Sequence, residues 1–289
     1  MRLVDSHGHL QADRFAPDVE LVIGATRLAG VERVLVPGWD PESSVAALDL
    51  VGRFQWLDAA VGVHPHEAAA VDDAGWSRIV AMADDPRVRA IGETGLDSDR
   101  GFSPLDAQLT NLRRNLALAV ATGKPAILHC RSRPGERDSQ DRLVAELRSA
   151  GFGGPEVRRA FGDRPPAIVH SFSGPVDYAE TVLGLDLAIS FSGLVFRAGE
   201  ESSAAVARLV PADRLLIETD APFLSPPGAP RKRNTPEWVG FTAAWLAERR
   251  SEDPGLVGDR LVAAYDHVLG RTTGQPDRDR AVGPADAGR

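Results

Sequence analysis

An α/β fold, a single (β/α)8 barrel of the TIM type, is predicted by three observations. Eight short apolar runs alternate with helical stretches. The step from one run to the next is about 30 residues, the size of one strand-plus-helix unit. Six of the seven histidines fall at or just after the C-terminal end of a run, the face on which α/β barrels build their sites. The length agrees, since 289 residues suit one barrel of about 250.

The runs are Leu3–Ser6, Arg33–Pro37, Ala59–Val63, Val88–Gly92, Ala126–His129, Ala167–His170, Leu187–Phe191 and Leu215–Thr219. Their shortness and apolar character read as strands. The clearest helix is Leu105–Thr122, with Leu105, Leu109, Leu112, Leu116 and Ala119 on one stripe and a stop at Gly123 and Pro125. Trp238–Arg249 and Gly258–Leu269 supply two helices after the last strand. Strands joined by helices pair in parallel. A doubly wound open sheet competes, and eight strands with polar residues at their C-terminal ends favour closure. The stretch 131–166 starts rich in Arg, Glu and Asp and ends in Gly and Pro; it reads as one helix plus an elaborated loop. The barrel domain is therefore expected over 1–270. Residues 271–289 lack large apolar side chains and read as a disordered tail.

Composition excludes some classes. The chain is 43% hydrophobic and 26% charged, with a net charge of −8. A protein that coats nucleic acid nonspecifically is usually basic, whereas an enzyme with a local basic rim is compatible with this balance. The single cysteine, Cys130, makes no internal disulfide, and no run of about 18 apolar residues suggests a membrane span. The expected address is the cytoplasm, and nothing in the sequence demands more than a monomer.

The polar residues at strand ends carry the chemistry. His7 and His9 are two apart on a strand, so both side chains point to the same face and can grip one ion. Alone, such a pair is as common on a surface strand. Glu93 ends the fourth run, where a buried carboxylate needs a partner; it reads as an arginine's salt-bridge partner or as a ligand whose two oxygens bridge two ions. A lone histidine on an apolar strand is usually a core residue, but His129 and His170 on neighbouring strands match the first pair. Asp220 ends the eighth strand, which neighbours the first in a closed barrel. Glu218, of the same parity, is placed to hold the N–H of a ligand histidine, and Asp97 is expected to support the site. Cys130 alternates with His129 and should face the helices. His64, His66 and Arg131 are candidate substrate contacts, as is the run Arg231, Lys232, Arg233 after Asp220. A charge run is normally a solvated face; at a site rim it suits phosphate. No P-loop and no GxSxG elbow occurs.

These residues resemble the TatD family of metal-dependent hydrolases, within the amidohydrolase-like barrels. The matching stretches are VDSHGHL at 4–10, VGVHPHEA at 61–68, IGETGLD at 91–97, ILHCRS at 127–132, VHSFSG at 169–174, FSGLVF at 191–196 and LLIETDAPFLSPPGAPRKRNTPEWV at 215–239. The resemblance implies a metal-dependent hydrolase with two divalent ions. His7, His9, Glu93 and Asp220 would hold one, and Glu93, His129 and His170 the other. The mixed N and O ligands suit Zn2+ or Mn2+, with Mg2+ also open. Family members are known as deoxyribonucleases, and some as deacylases of misacylated tRNA. The expected reaction is exonucleolytic hydrolysis of single-stranded DNA, with attack by an activated water, Asp220 as general base and Glu93 as the second catalytic group. The alternatives are a D-aminoacyl-tRNA deacylase, another ester or amide hydrolase on the same barrel, or a noncatalytic nucleic-acid-binding scaffold. A complete ligand set argues against the scaffold. Two stretches depart from the family: SDRG follows Asp97 where aromatic residues are usual, and 131–166 is longer than usual.

Overall fold

The computed structural model describes residues 1–271. Its first half runs β1 (Leu3–Asp5), α1 (Val19–Leu28), β2 (Val31–Pro37), α2 (Pro41–Arg53), β3 (Leu57–Val61), α3 (Asp73–Ala83), β4 (Val88–Asp97) and α4 (Leu105–Thr122). Its second half runs β5 (Ala126–Arg131), α5 (Asp138–Ser149), α6 (Pro155–Phe161), β6 (Ala167–Val169), α7 (Val176–Gly184), β7 (Ala188–Phe191), α8 (Ser203–Leu209), β8 (Leu215–Ile217), α9 (Val239–Arg250) and α10 (Pro254–Val268). The eight strands form one parallel sheet in sequential order. Side chains such as Val34, Leu35, Val36, Ala59, Ala60 and Val61 are fully buried. The strands are covered on both faces, which is why they read as continuous apolar runs rather than alternating ones.

The ring closes between β8 and β1. Ser6 N donates to Ile217 O (2.9 Å), Asp220 N to His7 O (2.8 Å) and His9 N to Ala221 O (2.8 Å), around a parallel bridge between Gly8 and Ala221. Behind this seam Asp5 is wholly buried. Its Oδ1 accepts from His7 N (3.1 Å) and Thr219 N (3.0 Å), and its Oδ2 from the Thr219 hydroxyl (2.5 Å). Burial pushes the Asp5 carboxyl up to about 7, against the pull of those donors.

Differences from the sequence reading have local causes. β4 runs to Asp97, past the expected end at Gly92. Gly92 and Gly95 look like a strand end, but they are where β4 meets β5: Gly95 has φ +147°, and a Cβ there would fall 1.9 Å from His129 O. The stretch 131–166 holds two helices rather than one, because the Gly–Pro pair at 154–155 starts α6 instead of continuing a loop. α10 begins at Pro254, capped by Asp253 (Oδ1 to Gly255 N 2.8 Å); Gly255 and Gly258 had diluted its pattern. α4 has the expected limits. Of the tail read at 271–289, only Arg271 lies within the described residues. It is ion-paired with the buried Asp58, which also accepts from Tyr265 Oη (2.9 Å), so this residue belongs to the barrel body.

Asp5 should therefore hold the seam. Asp5→Ala leaves three buried donors unpaired and should cost about 2 kcal/mol or more, a fall of roughly 4–8 °C in melting temperature. Asp5→Asn, whose oxygen keeps both backbone donors, should lose far less. Equal stability of the alanine variant and the parent in calorimetry would refute this role.

Candidate metal centre

All six histidines singled out in the sequence stand at the C-terminal mouth of the barrel, five of them around the carboxylate of Glu93 and His66 on that of Asp97. Glu93 is 3% exposed. Its Oε2 lies 3.0 Å from His7 Nε2 and 3.5 Å from His9 Nε2. Its Oε1 lies 3.0 Å from His129 Nδ1 and 2.9 Å from His170 Nε2. Asp220 Oδ1 approaches His9 Nε2 (3.6 Å) and His7 Nε2 (3.9 Å) from the β8 side. Asp220 adopts φ +52°, a region a non-glycine residue enters at a cost and one often found at functional sites; the hydrogen bond from its N–H to His7 O at the seam holds it there.

The outer nitrogens fix how the imidazoles face inward. His9 Nδ1 donates to Pro37 O (3.1 Å), His170 Nδ1 to Glu218 Oε1 (3.1 Å) and His129 Nε2 to Asp97 Oδ2 (3.3 Å). In its neutral form, each of the three rings then turns a lone pair toward Glu93. Partners of this kind orient metal-ligating histidines. Buried lone pairs converging on a carboxylate need positive charge between them. The spacing fits an ion: two ligands about 2.05 Å from one tetrahedral centre stand about 3.3 Å apart. His7 Nε2 and His9 Nε2 are 3.2 Å apart, and His170 Nε2 and His129 Nδ1 3.4 Å. The groups His7–His9–Glu93, Glu93–His129–His170 and His7–His170–Asp220 each bring their ligand atoms within 4.8 Å, as donor sets that could hold a metal.

The electrostatics agree. Burial pushes the Glu93 carboxyl up, but the imidazoles of His170, His64 and His7 outweigh it and hold the group well below its usual range. Burial disfavours charge on His170, yet Glu93 and Glu218 raise its pKa well above the ordinary imidazole value. His129 is raised in the same way by Asp97 and Glu93 against its burial. Burial also pushes Asp220 up, and the hydrogen bond with His9 and the nearby imidazoles bring it below its usual value. The histidines and carboxylates of the pocket thus form one tightly coupled set of opposite charges.

The remaining candidates separate. Glu218 is fully buried, with its Oε1 against His170 Nδ1. Asp97 has a larger part than mere support, since it grips both His129 and His66 (Oδ2 to His66 Nε2 2.7 Å) while Oδ1 accepts from the N–H groups of Asp99 and Arg100. Burial pushes Asp97 up, and these donors hold it far below the usual carboxylate range. His64 lies inside the cluster: its Nδ1 accepts from His66 N (3.1 Å) and its Nε2 faces Glu93 Oε1 (3.1 Å), so Nε2 carries the proton and donates. Burial lowers its pKa to about 4. Arg131 is paired with Asp99 (2.8 Å), and Arg233 with Asp18 through both guanidinium nitrogens (2.7 Å each). Arg231 and Lys232 are exposed and, among the described residues, have no ion-pair partner. Cys130 packs against the hydrophobic core. The sequence reading did not single out Asp5, whose signal was a carboxylate inside the first apolar run, nor the exposed rings of Phe102 and Phe223 at the rim.

A parallel eight-stranded barrel with a histidine–carboxylate centre at the C-terminal ends of its strands is the architecture of a metal-dependent hydrolase. Residues 4–270 match the family described as TatD related DNase. An uncharacterized metal-dependent hydrolase, YabD, of Bacillus subtilis is 33% identical over 246 residues, covering 85% of this chain and 90% of its own. The 3′-5′ ssDNA/RNA exonuclease TatD of Cronobacter sakazakii is 34% identical over 252 residues, covering 85% and 89%. The crystal structure of YJJV, a TatD homolog from Escherichia coli, superposes with a TM-score of 0.81 at 26% identity, over 94% of this chain and 99% of the other. The chain belongs to the TatD-related DNase family. Among the described residues no helix is long and apolar enough to cross a membrane.

Replacing the shared carboxylate tests the centre directly. Glu93→Gln puts an amide nitrogen, which offers no lone pair, where one oxygen faces a histidine pair. Metal analysis after dialysis should find at least one ion per chain fewer than in the parent, with circular dichroism unchanged. Full occupancy would show that Glu93 is not a ligand.

Proposed function

We propose that the protein is a two-metal exonuclease that hydrolyses phosphodiester bonds at the ends of single-stranded nucleic acid, starting from the 3′ end. One observation carries the reading: the two oxygens of Glu93 face two separate histidine pairs. That arrangement suits a carboxylate bridging two divalent ions about 3.5–4 Å apart, of which Zn2+, Mn2+ and Mg2+ suit the mixed donors. His7, His9, Glu93 and Asp220 would hold one ion, and Glu93, His129 and His170 the other. The polarity and the single-stranded substrate rest on the TatD relatives, which are named as 3′-5′ ssDNA/RNA exonucleases.

Bound ions supply Lewis-acid polarisation of the phosphate and make water more acidic. The chain's own residues do the rest. Asp220, ionised and at the open side of the cluster (16% exposed at the side chain), accepts the proton of the attacking water as general base. Glu218 and Asp97 keep His170 and His129 turned inward. His64, neutral and protonated on Nε2, donates into the same space, where a phosphate oxygen would stand beside Glu93. Arg231 and Lys232, exposed at the rim and without an ion-pair partner among the described residues, attract the backbone phosphates upstream of the reacting one. Arg131 and Arg233 are tied to carboxylates and contribute little to that attraction.

Asp220→Asn should lower turnover on a 5′-labelled single-stranded oligonucleotide by about 100-fold or more, while the dissociation constant stays within about threefold. Replacing Arg231 and Lys232 with serine should weaken binding at low salt and reduce the salt slope by about 1.4; Arg233→Ser should change it less. Chelation should abolish activity, and added Mg2+, Mn2+ or Zn2+ should restore it. If the parent enzyme releases no nucleotides yet cleaves an aminoacyl ester, the nuclease assignment is replaced by a deacylase.

A further inference from the structure

Two aromatic rings at the mouth of the barrel have no role in the centre described above. Phe102, in the loop between β4 and α4, is 68% exposed, and Phe223, after β8, is 51% exposed. The exposed leucines and valines include several on the outer helices, such as Leu21 and Leu28 on α1. These two phenyl rings instead lie against imidazoles of the centre. Phe102 meets His66 edge-on at 4.7 Å, and Phe223 meets His9 at 6.4 Å. His66 and His9 stand on opposite sides of Glu93: His66 shares Asp97 with His129, whereas His9 faces the other oxygen of Glu93. The rings therefore flank the position of the reacting phosphate.

Both are held in place from behind. Phe223 N donates to Asp220 O (2.8 Å). The residue after Phe102, Ser103, donates to His66 O (2.7 Å) and accepts from Ala69 N (3.1 Å). A guanidinium accompanies one ring, with Arg14 at 5.5 Å from the centroid of Phe223. Fixed, solvent-facing aromatic rings beside cationic groups are how proteins hold single-stranded bases without reading their sequence, because every base has a π-face.

We propose that Phe102 and Phe223 are stacking platforms for the two nucleobases on either side of the scissile phosphodiester, so that a strand is recognised by its bases' faces rather than by their identity. This inference rests on the nuclease reading above. Each ring supports one base, one on the departing nucleotide and one on the nucleotide that remains. All four bases are then accepted, and a strand lacking a base at either position is held less well.

The test is a double-mutant cycle between protein and substrate. A 5′-labelled single strand with a phosphorothioate last linkage is bound to the metal-loaded enzyme, and its dissociation constant is read by fluorescence anisotropy. In the parent, a tetrahydrofuran abasic residue at the last or the penultimate position should weaken binding about tenfold. Phe102→Leu should erase the effect at one position and Phe223→Leu at the other. Tryptophan at either site should restore it, and metal content should stay at the parent value throughout. If both leucine variants remain as sensitive to the abasic residues as the parent, or the parent is itself insensitive, stacking is refuted while trimming of a normal strand still upholds the nuclease. If the parent neither binds nor trims any strand, both readings fall.

Discussion

A carboxylate removed from water between two pairs of imidazole lone pairs sets the terms for the rest of this molecule. Glu93 is nearly inaccessible, and a buried charge is tolerated only where opposite charge or hydrogen bonds meet it. Here the neighbours are nitrogens whose remote N–H groups are already committed, His9 to Pro37, His170 to Glu218 and His129 to Asp97. The cluster's raised imidazoles and depressed carboxylates hold one another's charge in place.

Holding that cluster open is the work of the barrel. The seam between β8 and β1 ties Asp220 to His7 and Ala221 to His9 through backbone hydrogen bonds, and the buried Asp5 ties the same two segments through Thr219 and His7. On the opposite side, β4 passes unusually close to β5 because Gly92 and Gly95 carry no side chain. The close approach brings Glu93 and Asp97 to the two nitrogens of His129. Buried amides of α4 brace the same region: Gln108 Oε1 accepts from Asp97 N (2.9 Å), and Asn111 Nδ2 donates to Val63 O (2.6 Å). Packing, backbone pairing and the site's electrostatics are thus one system.

The rim obeys a different rule. A chain with a net charge of −8 gains little from long-range attraction to a polyanion, so attraction has to be local. Much of the rim's positive charge is spent on nearby carboxylates, Arg131 on Asp99 and Arg233 on Asp18. Arg231 and Lys232 stay open to solvent, as do Arg14 and Arg100 and the two phenyl rings. On the function proposed above, a surface of this kind would suit a flexible strand that presents both phosphates and base faces.

The order of strands, the barrel, and the six residues around Glu93 were legible in the sequence, because period-2 alternation and the rule that sites lie at strand ends are local properties of the chain. The spacing of His7 and His9, the parity of Glu218 and Asp220, and the helix over 105–122 follow from backbone geometry alone. The rest depended on contacts between residues far apart in the chain. That Arg131 and Arg233 are paired, that His64 donates into the cluster, that Asp97 serves two histidines, and that Phe102 and Phe223 frame the mouth are decided only when loops from different strands meet. The glycines of β4 show why: in sequence they resemble a strand end, and only the approach of β5 to within contact of the missing Cβ makes them its continuation.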